Sequence, residues 1–214
     1  MNDFEIPKPG EFHIYRIDSE GDEYILSNFE KDRYLGFTSA TARQTYLKGH
    51  SAARFLTAHY TKKNPYQLEF LTSPEGKPSF RCSPDLHFNL SHSGDSVFIA
   101  FGSEPVGFDI ESLQRKADFQ KLAERYFQTQ EIEIMELSNK PKTIAFLEIW
   151  TAKEAMLKLL GIGIASGLDK TLILNDEEGI FNETKIYFRR YNFGDFTGTL
   201  ASFSPIQIVR ESTY

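Results

Sequence analysis

Two apolar segments near the middle of the chain, Val97–Phe101 and Val106–Glu111, are separated only by a Gly-Ser-Glu-Pro turn. Short apolar runs bounded by turn residues are typical of buried strands, so we expect a β-hairpin over residues 96–111. Three helical patterns follow between residues 117 and 160, and strand patterns return only after them. Because strands and helices are grouped rather than alternating, the sequence predicts an α+β fold.

Each half of the chain contains one long helical pattern. Apolar residues recur at three- to four-residue spacing over about 39–60 and from Lys142 to Leu160, where Gly161 is well placed to end the helix. We therefore divide the chain near its middle. The prediction is an N-terminal α+β half over residues 1–105 and a C-terminal α+β half over residues 106–214.

An internal echo supports this division. A shift of 104 residues places Tyr46 opposite Trp150 and Arg54 opposite Lys158. Each long helix then carries an aromatic residue and, eight residues later, a cation. Short helical echoes also arise by chance, so this one only adds to the argument for a duplicated architecture.

Charge and composition limit the classes of function. The 24 Lys and Arg residues are outnumbered by 30 Asp and Glu, and the net charge of −6 argues against a nucleic-acid coat or a membrane-surface protein. No apolar run approaches the ~20 residues that span a bilayer, and the first residues lack the basic and apolar regions of a signal peptide. A single cysteine, Cys82, excludes an intrachain disulfide and a cysteine-cluster zinc site. We expect a cytoplasmic protein without nucleic-acid or membrane partners.

Acidic side chains in two segments are candidates for a metal site. Asp109 and Glu111 lie two residues apart on a predicted strand, so their carboxylates point to the same face. Glu154 and Lys158 lie four residues apart on a predicted helix, one turn after Trp150. Convergent carboxylates are what Mg²⁺ requires. Taken singly, the first pair is also compatible with a solvated strand face, and the second with simple helix stabilisation.

The segment Asn89–Gly94 and the earlier turn Gly76–Pro78 offer groups that can bind phosphate. Ser91 and His92 lie where a predicted strand enters a loop, and both can donate hydrogen bonds to phosphate oxygens. Because neighbouring side chains of an extended segment point apart, a Ser–His nucleophilic pair is disfavoured. Lys77 presents one cation in the stiff turn. Both segments are also compatible with ordinary polar loops.

Taken in order, these segments resemble the 4′-phosphopantetheinyl transferases, and most closely the larger, two-half kind that activates peptide and polyketide synthetases or fatty-acid carrier proteins. The resemblance covers about residues 40–165. Its motifs are Gly76-Lys77-Pro78, Asn89-Leu90-Ser91-His92-Ser93-Gly94, Val106-Gly107-Phe108-Asp109-Ile110-Glu111 and Trp150 to Lys158. The last two, at this separation, are the most specific. The family implies two similar α+β halves related by pseudo-two-fold symmetry, with coenzyme A between them.

The resemblance implies a reaction and the residues that carry it. The 4′-phosphopantetheine arm of coenzyme A is transferred to a serine of an acyl or peptidyl carrier protein, and adenosine 3′,5′-bisphosphate is released. Matching the motifs residue by residue assigns Mg²⁺, with Mn²⁺ as an alternative, to Asp109, Glu111 and Glu154. Glu154 is also the candidate base for the serine hydroxyl. Lys158 would neutralise charge on the pyrophosphate of coenzyme A.

The family also implies a wider set of residues that contact coenzyme A. This set consists of Arg43, Lys48, Lys77, Pro78, Ser91, His92, Asp109 and Lys158. Lys77, Ser91 and His92 would hold the nucleotide end with its 3′-phosphate. Arg43 and Lys48 lie near the family's basic helix position, and Lys31 and Arg33 are further candidates.

Two other functions fit parts of the sequence. A metal-dependent nuclease uses similar carboxylates with a lysine, although the acidic composition and the lack of a Lys/Arg-rich stripe argue against it. A non-catalytic module that binds coenzyme A or a nucleotide would leave the three carboxylates unexplained. Because both halves lie in one chain, we expect a monomer. We also expect the acidic carrier protein to dock on a local apolar and basic patch that includes Lys62 and Lys63.

Overall fold

The computed structural model describes residues 5–72, 78–80, 85–163 and 167–214, and for residues 72 and 78–80 it describes the backbone only. The chain forms two compact units. Unit one comprises Met1–Glu104 with Gln207–Tyr214, and unit two comprises Pro105–Ile206. Each unit contains a sheet and a long helix that packs against it. The predicted α+β class is therefore confirmed.

In unit one, the residues that the structure describes form two α-helices and two sheets. Its elements are β1 (Glu11–Ile17), a 3₁₀ turn (Glu23–Ile25), α1 (Asn28–Gly36), α2 (Ala40–Thr61), a second 3₁₀ turn (Pro65–Gln67), β2 (Phe70–Thr72), β3 (Pro78–Phe80), β4 (His87–Ser93), β5 (Ser96–Gly102) and β11 (Ile208–Thr213). The main sheet has the order β11–β1–β5–β4, and β2 pairs with β3. Leu56 of α2, Tyr15 of β1 and Phe101 of β5 belong to one buried apolar cluster. Burial of this cluster joins the long helix to the main sheet.

The described residues of unit two form a second sheet and three α-helices. Its elements are β6 (Val106–Ser112), α3 (Phe119–Tyr126), α4 (Thr129–Leu137), α5 (Lys142–Leu160), a 3₁₀ turn (Leu168–Lys170), β7 (Thr171–Ile173), β8 (Glu178–Phe181), β9 (Thr184–Asn192) and β10 (Phe196–Ser202). The sheet order is β6–β10–β9–β8–β7, and every neighbouring pair is antiparallel. Helix α5 packs across β6 and β10. Leu157 of this helix and Phe188 of β9 lie in the same buried cluster.

The two apolar segments at the centre of the chain do form strands, but the predicted hairpin is wrong. Strand β5 pairs with β1 and β4 in unit one, whereas β6 pairs with β10 in unit two. The turn residues after β5 therefore span the boundary between the units. Turn chemistry indicates that the chain changes direction, but it does not determine which sheet the next strand joins.

The last strand, β11, lies in a different unit from the one that the sequence predicts. Strand β11 runs parallel to β1, with Glu11 opposite Ile208 and Arg16 opposite Thr213. Residues 207–214 consequently belong to unit one, although the sequence analysis assigned them to the C-terminal half. A short polar edge strand carries no local feature that identifies its partner, because tertiary contacts decide that pairing.

Capping residues mark ends of both predicted and unpredicted helices, but only the predicted ones also carry an apolar period. Helix α2 begins after Ser39, whose hydroxyl accepts the Ala42 N–H at 3.3 Å. Helix α5 ends at Gly161, which adopts a left-handed φ of +71°. The sequence analysis does not anticipate α1, although Ser27 and Glu30 form a capping box at its start. Its surface is largely polar, so no apolar period marks it.

A buried ion pair ties the long helix of each unit to the start of a shorter helix. In unit one, Arg54 of α2 donates to the Glu30 carboxylate of α1 at 2.5 Å. In unit two, Lys153 of α5 donates to the Glu131 carboxylate of α4 at 2.6 Å. Each glutamate is the third residue of its helix and also accepts a backbone N–H from the residue before that helix. The two units therefore share one building plan.

This structural repeat differs in register from the echo in the sequence. The shift of 104 residues places Arg54 opposite Lys158, but Arg54 is buried like Lys153, and the side chain of Lys158 is 27% exposed. Arg54 and Lys153 are therefore the equivalent cations. The structural repeat corresponds to a shift of 99 residues, the separation of Lys153 from Arg54, instead of 104. A difference of five residues turns a helix face by about 140°, so the echo in the sequence does not mark equivalent positions.

Candidate active site

The three acidic side chains of the predicted metal site converge in unit two. Asp109 and Glu111 lie on one face of β6, and Glu154 lies on α5, which packs against that strand. One carboxylate oxygen from each of the three residues lies within 4.8 Å of the others. Mg²⁺ prefers such hard oxygen ligands, with waters and phosphate oxygens completing its shell. The donor set therefore fits this ion.

Gly107 allows the helix to approach the strand closely. It precedes Asp109 by two residues and faces the same side of β6. A Cβ atom at this position would lie 2.0 Å from the Ala155 carbonyl oxygen and 2.5 Å from the Leu159 nitrogen. Only glycine is compatible with this backbone approach. The absence of a side chain at Gly107 thus brings Glu154 within reach of the two strand carboxylates.

We expect Gly107→Ala to lower the free energy of unfolding by about 1–3 kcal/mol, because the added methyl group must push α5 away from β6. Urea denaturation followed by circular dichroism measures this loss. Gly36→Ala is the control, since a Cβ at the end of α1 meets nothing within 4 Å and alanine favours the helix. Equal stability of the two variants would contradict the close-approach argument.

Two cations contact two of the carboxylates. Lys158 Nζ donates to Asp109 Oδ1 at 2.7 Å. Arg115, in the segment after β6, donates from its guanidinium to Glu111 Oε1. The guanidinium carbon of Arg115 also lies 5.4 Å from the centroid of the Trp150 ring, a distance typical of a cation–π contact. The site therefore combines three acidic groups with two basic ones.

The surroundings of Glu154 strongly change the pKa of its carboxyl group. Burial raises the pKa of Glu154 to about 8, with the Asp109 and Glu111 charges acting in the same direction and Lys158 and Arg115 opposing them. A carboxyl group that titrates near neutral pH can exchange a proton with a reacting group. The arrangement can hold a divalent cation and an anionic substrate, and it can accept a proton beside them.

Comparisons with known proteins extend the match beyond these motifs. Residues 105–205 match the family model of the 4′-phosphopantetheinyl transferase superfamily. Over 179 residues the chain is 31% identical to the 4′-phosphopantetheinyl transferase HetI of Nostoc sp. (strain PCC 7120 / SAG 25.82 / UTEX 2576), with 75% of this chain and 76% of HetI covered. The chain belongs to the 4′-phosphopantetheinyl transferase family.

Two further transferase relatives are similar over comparable lengths. A putative 4′-phosphopantetheinyl transferase, slr0495 of Synechocystis sp. (strain ATCC 27184 / PCC 6803 / Kazusa), is 35% identical over 158 residues, with 71% of this chain covered. The chain spans 63% of the length of that relative. The 4′-phosphopantetheinyl transferase Sfp of Bacillus subtilis (strain 168) is 29% identical over 167 residues, with 72% of this chain and 74% of Sfp covered. The predicted family is confirmed, and it takes precedence over the nuclease alternative.

Ser91 and His92, which the transferase family implies for coenzyme A, lie in unit one. Strand β4 extends to Ser93, so both residues lie on a strand and not in the loop predicted after residue 90. Ser91 is buried and His92 is exposed, as expected for neighbours on opposite faces of a strand. The prediction that the two side chains point apart therefore agrees with the structure.

Arg43 and Lys48 lie on the first half of α2. Thr45, between them, donates from its hydroxyl to the Gly94 carbonyl at 3.5 Å, so this part of the helix lies beside the turn that follows β4. Arg43 donates to the Phe37 carbonyl at 2.7 Å. Their role in coenzyme A binding stays a prediction.

The structure describes the remaining predicted coenzyme A residues only in part. Lys77 lies outside the described residues, and of Pro78 only the backbone, in β3, is described. Lys31 and Arg33 lie on α1. Within the described part of the chain, none of the helices combines the length and the apolar character that crossing a bilayer demands.

Arg115 is the site residue that the sequence analysis missed. It follows Glu111 by four residues, but the segment between them is not helical, so the spacing does not imply contact. The only available signal is that a cation lies close in sequence to a candidate metal ligand. Its contact with Trp150, which is distant in sequence, depends on how α5 packs against β6.

The raised pKa of Glu154 predicts a pH-dependent stability in metal-free protein. The folded state binds this proton at a pKa of about 8, whereas the ordinary value is 4.5. The resulting stabilisation is complete below the ordinary value and is lost as the pH rises through about 8. We expect the melting temperature in EDTA to fall progressively from about pH 5 to about pH 8 and to level off above that, and Glu154→Gln to flatten the fall. Calorimetric scans that fall equally in both proteins would contradict the assignment.

Proposed function

We propose that this chain transfers the 4′-phosphopantetheine arm of coenzyme A to a serine hydroxyl of an acyl or peptidyl carrier protein, with Mg²⁺ as its cofactor. The strongest support is the convergence of Asp109, Glu111 and Glu154 within the segment that matches the family. Lys158 lies beside this group and contacts Asp109. Sfp and HetI bear this activity in their names.

Asp109, Glu111 and Glu154 would hold Mg²⁺, and Mn²⁺, which takes similar oxygen ligands, is the alternative. When bound, the ion supplies positive charge that offsets the charge developing on the diphosphate of coenzyme A. Lys158 contributes a further cation at the same place. Its long side chain leaves α5 one turn after Glu154, so it can contact the diphosphate while the carboxylates hold the ion.

The chemical step joins the carrier serine to the phosphorus that bears the pantetheine arm. The serine oxygen forms a bond to this phosphorus, and the bond from the phosphorus to the oxygen of adenosine 3′,5′-bisphosphate breaks. Glu154 accepts the serine proton on a carboxylate oxygen. Because burial raises the pKa of Glu154 to about 8, the ionised form that this role requires gains population as the pH rises toward 8. Lys158 and Arg115 favour that form, because their charges lower the pKa.

The nucleotide end of coenzyme A requires donors for its 3′-phosphate. We assign this task to Lys77, Ser91 and His92. Arg43, Lys48 and Pro78 complete the proposed set of residues that contact coenzyme A. Lys62 and Lys63, exposed after the end of α2, remain candidates for docking the acidic carrier. Association rates that do not change with salt would contradict a basic docking patch.

We further propose that the transferase works as a monomer, because one chain contains both units that share the building plan. Light scattering at working concentrations is expected to give the mass of a single chain, 24.6 kDa. An obligate trimer would contradict this proposal.

Intact-protein mass spectrometry tests the proposed function directly. An apo carrier protein is incubated with the chain, coenzyme A and Mg²⁺, and a gain of one phosphopantetheine group is expected. Glu154→Ala is expected to abolish the gain, whereas Glu124→Ala, which removes an exposed carboxylate of the same unit, is expected to keep it. No gain with several carriers, despite coenzyme A binding, would favour the non-catalytic module. No binding of coenzyme A would overturn the proposal.

A further inference from the structure

Arg115 engages one of the carboxylates that the metal needs. Its guanidinium donates to Glu111 Oε1, and the side chains of Arg115 and Glu111 are 29% and 15% exposed. Glu111 belongs to the group of three acids whose oxygens lie within 4.8 Å of one another. A guanidinium and a divalent cation therefore compete for the same carboxylate.

Competition of this kind lowers the affinity for the metal alone. Like charges at the contact distances of this site repel strongly, since the partly buried position reduces solvent screening. A cation bound to Glu111 places two positive charges on one carboxylate, so movement of Arg115 away from Glu111 relieves this repulsion. The cost of this movement falls if the guanidinium gains another anionic partner.

Arg115 also contacts the Trp150 ring, and this contact limits how far its guanidinium can move from the site. Its guanidinium carbon lies 5.4 Å from the centroid of the Trp150 ring, and Trp150 is buried on α5 one turn before Glu154. This aromatic face retains the cation at the site when Glu111 releases it. A planar guanidinium with several donors matches the oxygens of a phosphate group, which it can bind in a bidentate manner.

We propose that Arg115 exchanges partners during substrate binding, leaving Glu111 for a phosphate oxygen of coenzyme A, so that Mg²⁺ and coenzyme A each strengthen the binding of the other. The inference rests on the proposed function and adds to it a positioning residue and a coupling between two ligands. Such coupling is reciprocal, so the factor by which coenzyme A tightens Mg²⁺ binding equals the factor by which Mg²⁺ tightens coenzyme A binding.

Replacing Arg115 tests both its contact with Glu111 and its proposed contact with a phosphate of coenzyme A. In Arg115→Gln, Mg²⁺ alone is expected to bind roughly two- to fivefold more tightly, a range that corresponds to loss of one partly exposed ion pair. The factor by which coenzyme A strengthens Mg²⁺ binding is expected to fall by a similar amount, because the released partner for the phosphate is missing. If Arg115 had only a structural role, Arg115→Gln would weaken both the binding of Mg²⁺ alone and the strengthening of that binding by coenzyme A.

Isothermal titration calorimetry of the full chain with Mg²⁺, without and with saturating coenzyme A, measures both quantities. Lys116→Gln is the matched control, because it removes the same charge from the adjacent, exposed residue. Arg115→Lys is a second variant, which keeps the charge and is expected to leave Mg²⁺ binding alone close to wild type. Circular dichroism establishes that each variant is folded before titration.

The outcomes distinguish the inference from the proposed function. Unchanged Mg²⁺ affinity and coupling in Arg115→Gln would overturn the inference, as would an equal tightening in Lys116→Gln, which would point to bulk charge. In either case, phosphopantetheine transfer by the wild-type chain would keep the proposed function. A wild-type chain that binds neither ligand and transfers nothing would overturn both.

Discussion

Glu154→Gln is expected to lower the rate of phosphopantetheine transfer by about 10²–10⁴-fold, the usual contribution of a general base. Glutamine has nearly the same volume as glutamate but cannot accept the proton of the carrier serine. The fold should persist, because burial already raises the pKa of Glu154 to about 8 and so favours an uncharged group at this position. Single-turnover kinetics, followed by mass spectrometry of the carrier, measures the rate.

Metal binding must be measured on the same variant, because Glu154 is also a proposed ligand. Near-normal turnover with Mg²⁺ still bound would show that the serine proton goes elsewhere, for example to water. Glu111→Gln is the comparison, since it alters a proposed ligand that has no assigned role in proton transfer. If excess Mg²⁺ restores Glu111→Gln but not Glu154→Gln, the additional loss in the second variant belongs to the proton transfer.

The largest expected effect on stability comes from the buried ion pair of unit two. Lys153→Met is expected to lower the free energy of unfolding by about 3–5 kcal/mol, because it leaves the fully buried Glu131 without its cation. Lys153 also donates to the Thr171 carbonyl at 2.8 Å, and that bond is lost as well. Urea denaturation with and without the substitution gives the difference.

An exposed ion pair provides the control for this prediction. Lys121→Met breaks a contact with Asp118 in which the two side chains are 80% and 53% exposed, so it is expected to change the free energy of unfolding far less than Lys153→Met does. In Lys153→Met with Glu131→Gln, part of the loss should be recovered because no unpaired charge stays buried. A single Lys153 variant as stable as the Lys121 variant would contradict the argument.

The carboxylates and Lys158 could be predicted because short, regular spacings place them. Alternation along a strand puts Asp109 and Glu111 on one face, and one helical turn separates Glu154 from Lys158. The resemblance to a family then joined the two segments. Arg115 could not be found in this way, because its contacts depend on an irregular segment and on the packing of α5.

The contrast between local spacing and long-range packing also explains which parts of the fold could be predicted. Ser39 caps the start of α2 and Gly161 caps the end of α5, so local sequence was sufficient to predict these two boundaries. The hairpin prediction failed because β5 and β6 enter different sheets after a turn that looks ordinary. The partner of Glu131 lies 22 residues away, and no periodicity along the chain relates two such residues.

The parallel pairing of β11 with β1 has a consequence for how the protein is made on the ribosome. Unit two is one continuous stretch of chain, and all of its strands have been synthesised before β11 emerges. The main sheet of unit one, by contrast, combines β1, which is made before unit two, with β11, which is made after it. Unit two can therefore complete its sheet while the nascent unit one still has an open edge at β1, a surface that other nascent chains or chaperones could reach.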